Sequence, residues 1–439
     1  MNYQQRERIM KSKLSLALVP LLLPAVGFGL TLEEAVQHVT KTNPQIVERV
    51  KNFNKTAQDI DMAKAGYLPS VDIELKYGDE HTDNISHPKP NDVSLKRYER
   101  GIKASINLFE GFATYANVNQ QEARTEAAKN SVLEKANALG LETVEAYLEL
   151  MKQHAFLMIA EENLKTHKAI HERINERTES GFGSKSEQDQ SKGRLSLAES
   201  NVIIQTSNFR DALAKFTRLY GEKIDADALV KPTFEYTLPE SLEAAVELAK
   251  KNHPAIQVQH ANIVAAEENA FGADSAYYPR LDAEIAKYHN DNIGGDEGHY
   301  DTDSAMLILS YNLFAGGYYQ ANREKQQINA LQERAVLDDL NRAAAENVTY
   351  AWIAYEELNR QIPYLKAHRD YSITTLEAYN QEFSLGRRTL LDILNTENER
   401  TTAEQELVRA EYDLLLAKYR ILNGTGSLAA ELNAAPALQ

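Results

Sequence analysis

The sequence predicts a mainly helical α+β protein made of two copies of one unit, each a β-hairpin followed by a long antiparallel coiled-coil hairpin. Three observations predict it. The chain is written twice: Leu32-Glu33-x-Ala35-Val36, Asn43-Pro44-x-Ile46 and Tyr67-x-Pro69-x-x-Asp72 return as Leu242-Glu243-x-Ala245-Val246, His253-Pro254-x-Ile256 and Tyr277-x-Pro279-x-x-Asp282. Ile106-Asn107-Leu108-Phe109-x-Gly111 likewise returns as Tyr311-Asn312-Leu313-Phe314-x-Gly316, so the duplication fixes the architecture before any single residue is interpreted. Within each copy, short segments alternate apolar and polar residues at period two. Long stretches almost free of glycine and proline follow them.

Composition sets the outer bounds. The chain has 439 residues, no cysteine, one tryptophan and a mean hydropathy of -0.49, so it is neither disulfide-stapled nor a helical membrane bundle. A formal net charge of -16 argues against nucleic acid as a partner, because that needs basic patches.

The elements follow in order. Arg6, Arg8, Lys11 and Lys13 precede an apolar run from Leu14 to Val26, and Gly27-Phe28-Gly29 offers small residues before Leu30, the pattern of a removed export signal over residues 1–29. Pro20 and Pro24 break the run, which falls short of the roughly 20 residues a spanning helix needs. Residues 31–66 read as helix with a break at Asn43-Pro44, since the residue before proline is pushed out of the α region. From about residue 68, Val71, Ile73, Leu75 and Tyr77 alternate with Asp72, Glu74 and Lys76, and after a loop with Pro88 and Pro90, Ile102, Ala104, Ile106 and Leu108 alternate again up to residue 110.

In the second copy Leu281, Ala283 and Ile285 alternate with Asp282 and Glu284, and beyond Gly294-Gly295 come Ala305, Leu307, Leu309, Tyr311 and Leu313, placing a hairpin at 278–314. Strands of about 10 to 12 residues suit a tilted membrane-spanning β-strand. Their second face carries Glu74, Lys103 and Glu284, which is tolerable only where that side is wet. Four strands cannot close a barrel, because the smallest need about eight, so several chains must contribute staves to one cylinder.

Helical rods fill the rest, from about Phe112 to Glu179 and from about Tyr318 to Ser384, interrupted by Pro363 alone among prolines. Leu337, Leu340, Ala344, Val348, Ala351, Tyr355, Leu358, Ile362 and Leu365 are spaced by threes and fours, a narrow coiled-coil stripe. Gly181-Phe182-Gly183-Ser184 and Leu385-Gly386-Arg387-Arg388-Thr389 reverse the rods, with Ser184 and Thr389 placed to cap the returning helices. The first repeat is therefore 30–220, with its β-hairpin at 68–110 and coiled-coil hairpin at 112–220. The second is 221–424, with a coiled-coil hairpin at 318–424, and 425–439 reads as a flexible alanine-rich tail.

Leu30-Thr31-Leu32-x-Glu34-Ala35, Asn43-Pro44, Leu108-Phe109-x-Gly111 and Ser384-x-Gly386-x-Arg388-Thr389-x-x-Asp392 resemble the TolC family of outer-membrane channel tunnels over about residues 30–424. The resemblance implies a homotrimer whose strands, four per chain, form one outer-membrane β-barrel in contact with lipid, continued by an α-helical coiled-coil barrel across the periplasm of a Gram-negative bacterium. It implies passive conduction with no enzymatic chemistry and no cofactor. The partners it implies are a periplasmic adaptor (membrane fusion) protein and an inner-membrane ABC transporter. Gly183-Ser184-x-Ser186-Glu187 looks more like type I secretion members than members serving a proton-driven drug or solute efflux pump. By matching the tip motif, the family's periplasmic gate falls on Glu187, Phe383, Arg387 or Arg388, and Asp392. Gly181, Phe182, Gly183, Leu385 and Gly386 become candidate adaptor contacts. Phe383 departs from the family's tyrosine and has no hydroxyl to donate.

Catalytic constellations are poor: no phosphate-cradling glycine loop and no Gly-x-Ser-x-Gly elbow. His167 and His171, four apart on a helix, read as surface histidines rather than metal ligands. Asp291-Asn292-Ile293-Gly294-Gly295-Asp296 lacks the oxygen ligands of a calcium loop, so no metal site is expected. The reading of a different class is a periplasmic coiled-coil interaction protein without a pore.

Overall fold

The computed structural model describes residues 29–84 and 91–437, so the export signal and the loop around Pro88 and Pro90 lie outside the described residues. The element order repeats as the sequence does. A helix pair, α1 (Leu32–Thr42) and α2 (Pro44–Lys64), leads to β1 (Ser70–Asn84), β2 (Asn91–Phe109), α3 (Ala113–Glu179) and α4 (Lys185–Tyr220). The second copy runs α5 (Leu242–Asn252), α6 (Pro254–Ala273), β3 (Arg280–Asp291), β4 (His299–Ser310), α7 (Tyr318–Ser384) and α8 (Leu390–Gly424).

Local chemistry sets these boundaries. Thr31 caps α1 in a capping box with Glu34, and Asn43 ends α1 in an extended conformation while capping α2, whose first residue is Pro44. His253 and Pro254 do the same between α5 and α6. Strand passes to helix through paired left-handed residues, Gly111 and Phe112 in the first copy and Gly316 and Gly317 in the second. The rods α3 and α7 hold 67 residues each, which at about 1.5 Å per residue makes them about 100 Å long. Pro363 lies on the exposed side of α7 and the helix continues through it.

The four strands form one antiparallel sheet in the order β1-β2-β3-β4, leaving β1 and β4 each with a bare edge. Val71, Ala104, Ile285 and Ala305 stand abreast across it, and so share a face, as do Asp72, Lys103, Ala286 and Ser304 on the other. The apolar face continues through Ile73, Leu75, Ile102 and Leu307, all exposed, while the other carries Glu74, Lys76, Glu99 and Glu284, with Lys103 Nζ 3.3 Å from Glu284. Both first-copy strands are longer than the alternation suggested, and β4 stops at Ser310, leaving Tyr311 and Leu313 as exposed connection rather than strand.

The main core lies where α1, α3, α4 and α8 meet, around Leu32, Val36, Leu139, Tyr147, Leu150, Phe216 and Tyr419. The Tyr147 hydroxyl lies within hydrogen-bond distance of the carbonyls of Leu30, at 2.8 Å, and Val230, at 2.6 Å, and accepts from the Val230 amide at 3.0 Å, tying the segment before α1 to the segment between the repeats. The tail requires a correction. Residues 428–431 form a ninth helix, α9 (Leu428–Glu431), and Leu428, Leu432 and Ala434 are buried in this core, with the Leu432 carbonyl accepting from Gln37 Nε2 at 2.9 Å. Leu428 and Leu432 lie four apart on one face, a repeat too short to stand out among alanines.

A candidate gate at the coiled-coil tips

Each tip is built by a turn that must be left-handed. In the first, Gly181 has φ 79° and the amides of Phe182 and Gly183 both donate to the Arg177 carbonyl, at 2.9 and 3.0 Å. A Cβ on Gly183 would meet the backbone of Thr178 at 2.9 Å, so this position also needs glycine for close approach. In the second, Gly386 has φ 74° and the Arg387 amide donates to the Glu382 carbonyl at 2.9 Å. The turns hold up Phe182, 83% exposed, and Leu385, 69% exposed, as apolar points at the far end from the sheet.

The charged residues expected at the gate are engaged locally. Ser184 caps α4 and Glu187 Oε2 accepts from the Ser184 amide at 3.0 Å, a complete capping box. Thr389 and Asp392 repeat the device on α8, with the Thr389 amide 3.1 Å from Asp392 Oδ2. The Thr389 hydroxyl and amide hold the Asp392 carboxyl below its usual range. Arg388 Nε donates to Glu382 Oε2 at 2.6 Å while its guanidinium lies 4.1 Å from the centre of the Tyr379 ring. Arg387 is exposed beside it. Within one chain, then, Arg388 is matched with Glu382, and Glu187 with Ser184.

Phe383 does not join this set. It is 5% exposed and packs with Ile170, Ile174, Leu376, Leu390 and Leu394, the Arg177 guanidinium 4.9 Å over its ring. The expected gate aromatic is a core residue of the tip, which suits its missing hydroxyl. Glu382 and Tyr379, which no motif singles out, are the side chains that contact Arg388.

A second polar cluster lies partway along the rods. Glu397, fully buried on α8, accepts from Arg400 Nη2 at 2.7 Å and Nε at 3.0 Å, and from Asn163 Nδ2 of α3 at 3.0 Å; Asn163 also reaches Thr401 Oγ1 at 2.9 Å. His167, one turn on from Asn163, is 3% exposed, with no hydrogen-bond partner at Nδ1, and burial holds its imidazole below the ordinary histidine range. It is not a surface residue, and His171 turns away to Ser191 Oγ at 2.8 Å, so the two histidines do not converge on a metal.

The arrangement is a sheet with one charged face at one end, a bundle of rods, and charged turns at the other. A protein-family model described as outer membrane efflux protein matches residues 35–222 and 245–427, one match on each repeat. The outer membrane efflux protein BepC of Brucella suis is 23% identical over 408 residues, covering 91% of this chain and 86% of BepC. The alkaline protease secretion protein AprF of Pseudomonas aeruginosa is 23% identical over 403 residues, covering 88% and 82%. The solved Campylobacter jejuni CmeC outer membrane channel superposes with a TM-score of 0.81 at 15% identity, covering 90% of this chain and 86% of that one, a likeness of fold.

Proposed function

Because the chain belongs to the outer membrane efflux protein family, the TolC family, we propose that it is the exit channel of a tripartite type I secretion system. Members are passive outer-membrane channels with a periplasmic tunnel, not enzymes, and so is this protein. They are homotrimers that work with periplasmic adaptors and inner-membrane transporters. The observation that carries the channel reading is the four-stranded sheet with two bare edges, one apolar face and one charged face, which encloses a wet lumen only when copies close it.

The finer reading is that the chain passes protein handed on by an ABC transporter. It rests on the likeness to AprF, a protein named for alkaline protease secretion, and on the Gly183-Ser184-x-Ser186-Glu187 tip. The second reading, an efflux-pump outlet served by a proton-driven pump, is favoured by the likeness to BepC, an outer membrane efflux protein. Arg388 or Arg387, with Glu187 and Asp392, forms the periplasmic gate in this proposal, and Arg388 exchanges Glu382 for an acid of the neighbouring subunit on closing. Phe182 and Leu385, raised on Gly181, Gly183 and Gly386, are the adaptor contacts.

Removing the gene and restoring it separates the readings. Type I secretion predicts that an exported protein vanishes from the culture medium while drug susceptibility stays near wild type. An unchanged medium with raised drug susceptibility would overturn it in favour of efflux.

A further inference from the structure

We propose that the outer end of the β3–β4 hairpin binds a transition-metal dication of the Zn²⁺, Cu²⁺ or Ni²⁺ type through His289, Asp291 and His299. The strand register makes the site. Asp291 stands directly across from His299, and His289 directly across from Asp301. Positions two apart on a strand share a face, so the four side chains form a two-by-two grid on the sheet's apolar face, beyond its Ile285 and Ala305 row. One donor atom each from His289, Asp291 and His299 lies within 4.8 Å of the other two. Two imidazoles with one carboxylate select borderline metals over calcium or magnesium, which take oxygen ligands.

The surroundings orient these donors. Nδ1 of His289 contacts the Asp301 carboxylate, which fixes that ring and leaves Nε2 as its donor, the usual support for a metal-bound histidine. Nδ1 of His299 contacts Oδ1 of Asp291, and Oδ2 of Asp291 accepts from Arg100 Nη2 at 3.0 Å, so an ion would take Oδ1 in exchange for its His299 contact. The two rings stack with centroids 5.6 Å apart at 23°. Metal bonds of about 2.0–2.1 Å require the donors to close to about 3.4 Å apart. Torsion of His299, an exposed side chain, supplies this movement. Arg100 opposes a cation electrostatically, while Asp291 and Asp301 supply two negative charges against it. The competing account is a pair of cross-strand His–Asp contacts with no ion. The bound metal would pin the Asn292–Gly298 connection, where Gly294, Gly295 and Gly298 all have positive φ.

The test uses the full-length trimer in detergent, without a polyhistidine tag, stripped with a chelator and titrated with Zn²⁺ by calorimetry and with Cu²⁺ by electron paramagnetic resonance. The expected result is one metal per chain, with two coupled imidazole nitrogens in the Cu²⁺ spectrum. His289→Ala/His299→Ala should abolish binding, and Asp301→Ala should weaken it about 10–100-fold, both keeping the heat-modifiable trimer on gels. A wild-type Cu²⁺ spectrum without two coupled nitrogens would overturn the proposal whether or not the variants assemble. So would unchanged binding by the double variant, or Ca²⁺ binding as tight as Zn²⁺.

Discussion

Replacing Glu397 by alanine should weaken the helical barrel by an amount that its buried contacts define. The carboxylate is fully buried and carries both Arg400 hydrogen bonds and the one from Asn163. Removing one partner of a buried ion pair leaves an uncompensated charge and costs about 3–5 kcal/mol. Arg400 keeps Glu404 at 2.7 Å, and its side chain is 13% exposed, which puts the cost at the lower end, about 3 kcal/mol per chain. Glu397→Gln keeps the shape and an acceptor for Asn163 but loses the charge, at about 1–2 kcal/mol. Denaturant unfolding of purified trimers, followed by helical circular dichroism, should rank wild type above glutamine above alanine. Arg400→Ala added to Glu397→Ala should recover part of the loss, because it removes the stranded guanidinium. A Glu397→Ala midpoint equal to wild type, or a double variant weaker than Glu397→Ala, would refute the reasoning.

Other outcomes follow from the same contacts. Leu432→Ala should cost about 2–4 kcal/mol by opening a cavity under the docked tail, against almost nothing if the tail were loose; the unfolding midpoint decides. His167 is held below its usual 6.5 by burial, with Arg194 adding and Glu397 opposing. Its contribution is therefore complete above pH 6.5 and lost as pH falls, since the unfolded chain takes up the proton first. Midpoints measured at about pH 7 and pH 5 should separate more for wild type than for His167→Gln, and equal separation would remove this cause. Arg388→Ser should leave trimers intact and raise resting leak, read as single-channel conductance and antibiotic entry. Unchanged leak would place the gate elsewhere.

Much of the fold was legible because it is periodic: the duplication, the alternation of Val71 to Tyr77, and the three-four stripe from Leu337 to Leu365 each state a geometry. The tip is less legible, because packing and helix capping within one chain engage its residues. Leu376, Tyr379 and Phe383 lie three and four apart on α7, the spacing of a seam, and this marks Phe383 as a packing residue within its own chain. Ser184-x-x-Glu187 and Thr389-x-x-Asp392 are capping-box spacings, so the local helix ends have the first claim on both acids. Glu397 occupies a seam position of α8 as a charged residue; Arg400 is a local partner three positions on, but the facing Asn163 of α3 lies 234 positions away. His289, Asp291 and His299 converge through strand register, which no local spacing rule encodes.

The bare margins of the sheet also bear on how the protein reaches its final place. A newly exported subunit carries two open ladders of peptide groups that hydrocarbon cannot satisfy, at several kcal/mol for each group left alone. Entry into the bilayer must therefore wait for an encounter among three chains, and its rate should fall steeply with dilution, far faster than for a barrel made from a single polypeptide. Until that meeting, each ladder is sticky toward any extended strand nearby, so biogenesis rather than the finished channel is where this architecture is most exposed to failure.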